Sequence, residues 1–213
     1  MHKVWLLFKE RSESMVPTRE EALEALREAE SMNPGQWVDH VKNTGLAAEA
    51  IASRCPGMDA EKAYVLGLLH DIGRRVGVVS MKHVIAGYEY AMRRGWDEVA
   101  KICMTHSYPI QDIKKDIAKI DVTEKEYKTI QKYLEKVVYD AYDHLIILCD
   151  SLTNTHGFCI LEKRFVDTTR RYGMFPFTVE RWNATFAIKE EFEKKMGCSV
   201  YSVLPGIERT TLL

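Results

Sequence analysis

The chain predicts an all-α fold, and three features point to it. Apolar residues recur at intervals of three and four, helix start and stop signals bracket those stretches, and no segment alternates apolar with polar as a half-buried strand does. Within that class we expect a single helical-bundle domain over 33–157, with an N-terminal extension and helix over 1–32 and a C-terminal helical extension over 158–213.

Thr18-x-x-Glu21 is a capping-box pattern opening a stretch rich in Ala, Leu, Glu and Arg that runs to Met32. Asn33-Pro34 then offers an N-cap followed by proline at the first helical position. Trp37, Val41, Thr44, Ala48 and Ile51 share a face, with His40 on or beside it, until Cys55-Pro56-Gly57 stops the helix. A third helix starts at Asp59 and runs through Ala63, Leu66 and Leu69 to His70-Asp71, with Gly73 and Gly77 to end it. Ser80 is positioned to cap a fourth, carrying His83, Gly87, Tyr90 and Ala91 and closed by Gly95. Trp96 opens a fifth, in which Val99, Ile102, Cys103 and His106 form one stripe and place His106 towards the core.

A polar connection over 109–121 follows, and Thr123-x-x-Glu126 opens one long helix through Ile130, Leu134, Val137, Val138, Ala141 and Leu145. Its apolar run 145–149 is closed by Asp150. Two amphipathic helices, over about 160–172 and 178–196, lead to a tail containing Pro205 and Gly206.

A chain of 213 residues at 46% hydrophobic and 29% charged supports one sizeable core. Thirty basic against 31 acidic residues give a net charge of -1, which argues against nucleic acid or an anionic membrane as the main partner; any phosphate recognition must be local. Five scattered cysteines without a CxxC pair fit a reducing compartment. The segment 1–8 has one basic residue and too short an apolar run for a secretion signal, and no run approaches the roughly 20 residues that span a bilayer. The expectation is a cytoplasmic protein acting on a small molecule, with a homodimer left open.

The most informative feature is the apolar run 64–69 ending in His70-Asp71 and then Ile72-Gly73-Arg74-Arg75. A carboxylate in an apolar setting is costly unless a hydrogen bond, an opposite charge or a metal compensates it, and the adjacent imidazole is a good divalent-metal ligand. Taken alone, the pair reads by default as a polar helix terminus.

The order His40, His70-Asp71, Asp150 resembles the HD superfamily of metal-dependent phosphohydrolases over roughly 33–156. The resemblance implies an all-helical fold in which these four residues converge on one divalent ion. It also implies that Arg74, at the basic position of the His-Asp-x-Gly-Lys/Arg pattern, lies near substrate phosphate, with Arg75 or Lys82 assisting. His83 and His106 stand where binuclear branches supply a second metal, which would make Asp71 the bridge. With Gly87 four residues after His83, the chain is most similar to the bacterial hydrolases that split diadenosine tetraphosphate symmetrically. The Gly-Tyr-Pro element of the cyclic-diguanylate phosphodiesterases is lacking, since Gly87-Tyr88-Glu89 stands there instead.

The resemblance therefore implies a phosphohydrolase in which metal-activated water attacks a nucleotide or dinucleoside polyphosphate, with Asp71 and Arg74 catalytic. Imidazole and carboxylate ligands without thiolate suit Fe, Mn, Zn, Co or Mg alike. A mononuclear nucleoside 5′-monophosphatase, which leaves His83 and His106 unexplained, and a non-catalytic nucleotide sensor are the alternatives. His2, His144 and His156 read as surface or local hydrogen-bonding groups, with Asp143 and His144 near the edge of the site. Cys103 and Cys149 read as packing, 189–195 as a solvated face, and Trp37, Tyr88 and Tyr90 as core aromatics.

Overall fold

The computed structural model describes residues 16–212, so the readings made of 1–8 and of His2 lie outside it. Helix α1 (Arg19–Met32) begins at the expected capping box: the Thr18 hydroxyl accepts from the Glu21 N–H, and the Glu21 carboxylate accepts from the Thr18 N–H. Its buried Ala22, Ala25, Leu26 and Ala29 face α3 (Ala60–Leu69), which Asp59 caps by accepting from the Glu61 and Lys62 N–H groups.

Helix α2 (Trp37–Ala52) starts later than Asn33-Pro34 suggests. Asn33 instead closes α1, and its side-chain amide donates to the Arg74 carbonyl at 2.7 Å, which ties the end of α1 to the turn after His70-Asp71. The backbones of α2 and α3 nearly touch, because a Cβ on Gly67 would lie 2.9 Å from the Cα of Gly45. Beyond α3 the chain makes a 3-10 turn, Ile72–Val76, and then enters α4 (Lys82–Arg94). Ser80 does not cap that helix; Asp121 does, accepting from the N–H groups of Ser80 and Lys82 at 2.6 and 2.8 Å. Ser80 Oγ accepts in turn from the Lys119 N–H, so the 109–121 connection is stitched to the start of α4. Gly95 ends α4 in the left-handed conformation, and α5 (Asp97–Thr105) follows as expected.

The single long helix expected after Thr123 is two, α6 (Glu124–Leu134) and α7 (Ala141–Ser151). The interruption has its own start signal: Asp140 accepts from the Tyr142 and Asp143 N–H groups, and Asp143 accepts from that of Asp140. Gln111 Nε2 donates to the Leu134 and Val137 carbonyls that the break leaves open, and Val138 is left 82% exposed rather than in the core. A two-residue hairpin, β1 (Thr153–Asn154) against β2 (Gly157–Phe158), precedes α8 (Leu161–Tyr172), α9 (Thr178–Met196), a 3-10 turn at Val200–Val203 and α10 (Ile207–Thr211).

The fold is all-α apart from that hairpin. Its main core lies where α2, α3 and α7 meet, around Ile51, Leu66, Leu69, Ile146 and Leu148, and a smaller cluster under α4 and α6 contains Val84, Met104, Tyr108 and Ile130. Cys103 and Cys149 are buried and free, as packing requires. No helix among the described residues is long and apolar enough to cross a membrane.

Candidate metal centre

The helix ends converge. His70 caps the C-terminus of α3 and His106 that of α5; Asp150 is the next-to-last residue of α7; His40 and His83 occupy the first turns of α2 and α4. Asp71 sits between them, 95% shielded at its side chain, with Oδ1 3.2 Å from His83 Nε2 and 3.5 Å from His106 Nε2. Its Oδ2 accepts from Arg74 Nε and lies 3.9 Å from His70 Nε2. Asp150 Oδ1 is 2.9 Å from His40 Nε2 and 3.9 Å from His70 Nε2. Two sets of donors result, His40 with His70 and Asp71, and Asp71 with His83 and His106, each within 4.8 Å and sharing Asp71.

Close approach of the backbones makes this possible. A Cβ on Gly73 would lie 1.9 Å from the His83 carbonyl oxygen, so only glycine lets the turn after Asp71 rest on the first turn of α4. Gly87 similarly leaves room for Cys103 Sγ, which would stand 2.8 Å from a Cβ there.

The orientation of the rings follows from their other nitrogens. His70 Nδ1 faces the Gly67 carbonyl at 2.7 Å, His83 Nδ1 the Ser80 carbonyl, and His106 Nδ1 the Ile102 and Cys103 carbonyls, both at 3.1 Å. A carbonyl oxygen only accepts, so each Nδ1 carries the hydrogen and each neutral ring presents its Nε2 lone pair inward. His83 Nε2 and His106 Nε2 then face one another at 3.1 Å, two lone pairs that repel unless a cation lies between or beside them. His40 is held differently, with Nδ1 3.4 Å from Thr153 Oγ1, which is bonded to Thr44 Oγ1 at 2.8 Å.

Charge distribution shows the same demand. Burial pushes His70 down to about 4 and His83 down to about 3, against the pull of Asp71. Burial also opposes charge on Asp71 and Asp150. Arg74 and the imidazoles outweigh it at Asp71, the hydrogen bond from His40 outweighs it at Asp150, and both carboxyls are held below their ordinary value. At His106 the Asp71 carboxylate outweighs burial and raises the imidazole.

The donor chemistry fits divalent metal. His70 Nε2 and Asp71 Oδ1 are fully buried without a hydrogen-bond partner, an arrangement costly enough that a compensating ligand is expected. Four imidazoles, three of them with inward lone pairs, and two carboxylates, with no thiolate among them, suit an imidazole- and oxygen-binding ion.

His40, Asp71, His83, His106 and Asp150 line a cleft of about 960 Å³, which Arg74 and Trp37 also line. Arg75 and Lys82 do not enter it. Arg75 bonds Glu28 and stacks on Tyr90, which with Tyr88 packs away from the cleft, and Lys82 bonds Glu126. His144 bonds Glu191 of α9 at 3.1 Å and the buried Asp143 bonds Thr105, so neither faces the cluster, whereas His156 lies on the rim. Sequence reasoning missed the restraint of His40 by Thr153 and did not single out the residues of α8 and α9 that line the cleft, among them Arg164, Phe165, Arg181 and Trp182. A lone threonine and basic residues on amphipathic helices carry no signal of such roles.

The chain belongs to the HD domain family, whose model matches residues 37–155. That family comprises metal-dependent phosphohydrolases in general, together with some non-catalytic members. Neither a curated relative nor a solved structure matches the chain.

Proposed function

We propose that the protein is a binuclear metal-dependent phosphohydrolase that cleaves the phosphoanhydride chain of a dinucleoside polyphosphate, diadenosine tetraphosphate being the favoured substrate. The observation that carries this reading is the pair of donor sets sharing Asp71, with inward lone pairs on His70, His83 and His106. A mononuclear nucleotidase has no use for two further buried imidazoles directed at the second carboxylate oxygen.

His40, His70, Asp71 and Asp150 would hold one ion and Asp71, His83 and His106 the other. Bound divalent ions supply an acidified water as nucleophile and neutralise phosphoryl charge. Asp71 would be shared by both ions, and Arg74 keeps it ionised by the Nε contact. Arg74 lines the cleft with Nη1 on the Val79 carbonyl and Nη2 without a hydrogen-bond partner among the described residues, a donor available to a phosphoryl oxygen. The carbonyl bonds to Nδ1 keep the rings from turning away.

The decisive experiment measures metal per chain after reconstitution with manganese or iron, together with products from diadenosine tetraphosphate. Two ions per chain, falling towards one in His83→Ala and His106→Ala, and conversion of one substrate and one water to two ADP are expected. One ion insensitive to those changes, with turnover confined to nucleoside monophosphates, would replace this reading with the mononuclear one.

A further inference from the structure

Helices α8 and α9 lie outside the matched 37–155, yet they form the cleft wall that faces the cluster. Arg181 of α9 is fastened there by neutral groups alone: Nη1 donates to the Lys115 carbonyl at 2.7 Å and Nη2 to the Ser107 carbonyl at 3.1 Å. Ser107 Oγ is itself 3.1 Å from His106 Nε2, so the guanidinium is anchored one residue from the cluster. Among the described residues no carboxylate lies within ion-pair distance of Arg181. Burial lowers its pKa, and Asp116, the acid that most favours its charge, does not offset this. A desolvated guanidinium held on carbonyls and lining an open cleft has no paired anion among the described residues.

Helix α8 adds further cations to the lining, among them two arginines on one face. Arg164 and Arg171 are seven residues apart, hence on one face and about 10 Å apart along the axis, and both line the cleft. Neither is ion-paired among the described residues, whereas the neighbouring Lys163 and Asp167 pair with each other.

We infer that α8 and α9 form a second anion-binding subsite, in which Arg181, Arg164 and Arg171 hold non-reacting phosphates of an oligophosphate whose reacting phosphoryl group lies beside Arg74. This rests on the phosphohydrolase reading for the reacting end only. A single phosphate on the cluster leaves these three arginines without an ion-pair partner among the described residues; a phosphate chain reaches both.

Calorimetric titration of the full chain in chelator with inorganic tripolyphosphate tests the subsite without metal or turnover. Wild type should bind tripolyphosphate at least tenfold more tightly than orthophosphate. Arg181→Ala and the double variant Arg164→Ala/Arg171→Ala should each lose at least tenfold in tripolyphosphate affinity. The double variant removes partly exposed side chains, so it reads the subsite even if Arg181→Ala melts early. Equal binding of both anions, no binding, or variants that bind as wild type does would overturn the inference. In the manganese-loaded protein, the double variant should raise KM for diadenosine tetraphosphate at least tenfold more than KM for p-nitrophenyl phosphate, and equal changes would overturn it. Failure of wild type to hydrolyse either compound would sink the hydrolase reading, and the tripolyphosphate titration would still decide the subsite.

Discussion

Gly73→Ala tests how the fold positions the cluster. The added methyl would stand 1.9 Å from the His83 carbonyl oxygen and 2.5 Å from the Gly87 nitrogen, both backbone atoms of α4 that no rotamer change can move. Ordinary contact begins near 3.4 Å, so the turn and α4 must separate by about 1.5 Å. Overpacking of this kind costs about 1–3 kcal/mol, and an unyielding backbone neighbour places this case near 3. For a chain of this size that lowers the melting temperature by about 6–12 °C.

The same displacement carries His83 away from Asp71 Oδ1, now 3.2 Å distant, by more than the roughly 0.5 Å that a preorganised site tolerates. His40, His70 and Asp150 do not ride on α4. On the two-ion reading Gly73→Ala therefore keeps one ion and loses the other. Scanning calorimetry and elemental analysis measure both effects. Gly77→Ala is the control, since Gly77 has φ of 129° and open space around its Cβ position, so it strains the backbone without pushing α4. If Gly73→Ala melts within about 2 °C of wild type and retains full metal content, the close-approach argument is wrong.

Acid should destabilise the metal-free protein before its carboxylates titrate. His70 and His83 bind protons less readily folded, at about 4 and about 3, than at the ordinary 6.5, so the unfolded chain takes up more protons and stability falls as pH drops from 6.5 towards 4. The loss by pH 4.5 is about 2–5 kcal/mol, allowing for opposition from the raised His106. Denaturant midpoints in chelator measure it, and a midpoint unchanged between pH 7 and 4.5 contradicts the burial argument. Asp143→Ala should cost about 2–4 kcal/mol, because that buried acid accepts from Thr105 Oγ1 and the Asp140 N–H and pairs with Lys101. A urea titration showing less than about 1 kcal/mol would mean that the remaining Lys101–Asp140 pair suffices.

Helix starts at Thr18, Asp59 and Thr123 were legible because cap and recipient lie within three residues of each other. The break between α6 and α7 was not. Asp140-x-x-Asp143 lies within a continuing apolar stripe of the sequence, and the amide that satisfies the open carbonyls comes from Gln111, distant in sequence. Asp121 capping α4 escaped notice for the same reason. At the cluster, spacing and family resemblance picked out residues that the fold does bring together. Sequence could not choose between cleft and surface for flexible cations: Arg74 turns to Asp71, whereas Arg75 reaches Glu28 and Lys82 reaches Glu126. Those choices depend on where α1 and α6 pack, which no local pattern records.

The charge of the cluster leads to a final prediction about how ions and phosphate bind together. With its imidazoles neutral, Asp71 and Asp150 against Arg74 leave a single net negative charge. One divalent ion reverses that sign, and a second enters an already positive site. On the two-ion reading the ions would therefore bind unequally in the absence of an anion, the second more weakly, and a bound phosphate would remove the penalty. Linkage then requires orthophosphate to tighten the second ion by the same factor by which that ion tightens orthophosphate. Couplings of this type run to about 1–3 kcal/mol, or roughly 5–150-fold in affinity. Manganese titrations with and without orthophosphate should show a tight first step unaffected by the anion and a weaker second step that strengthens with it. In His106→Ala only the anion-insensitive step should survive. Two equal steps that ignore phosphate would mean that the ions do not share a field through Asp71, and the bridged arrangement would have to be abandoned.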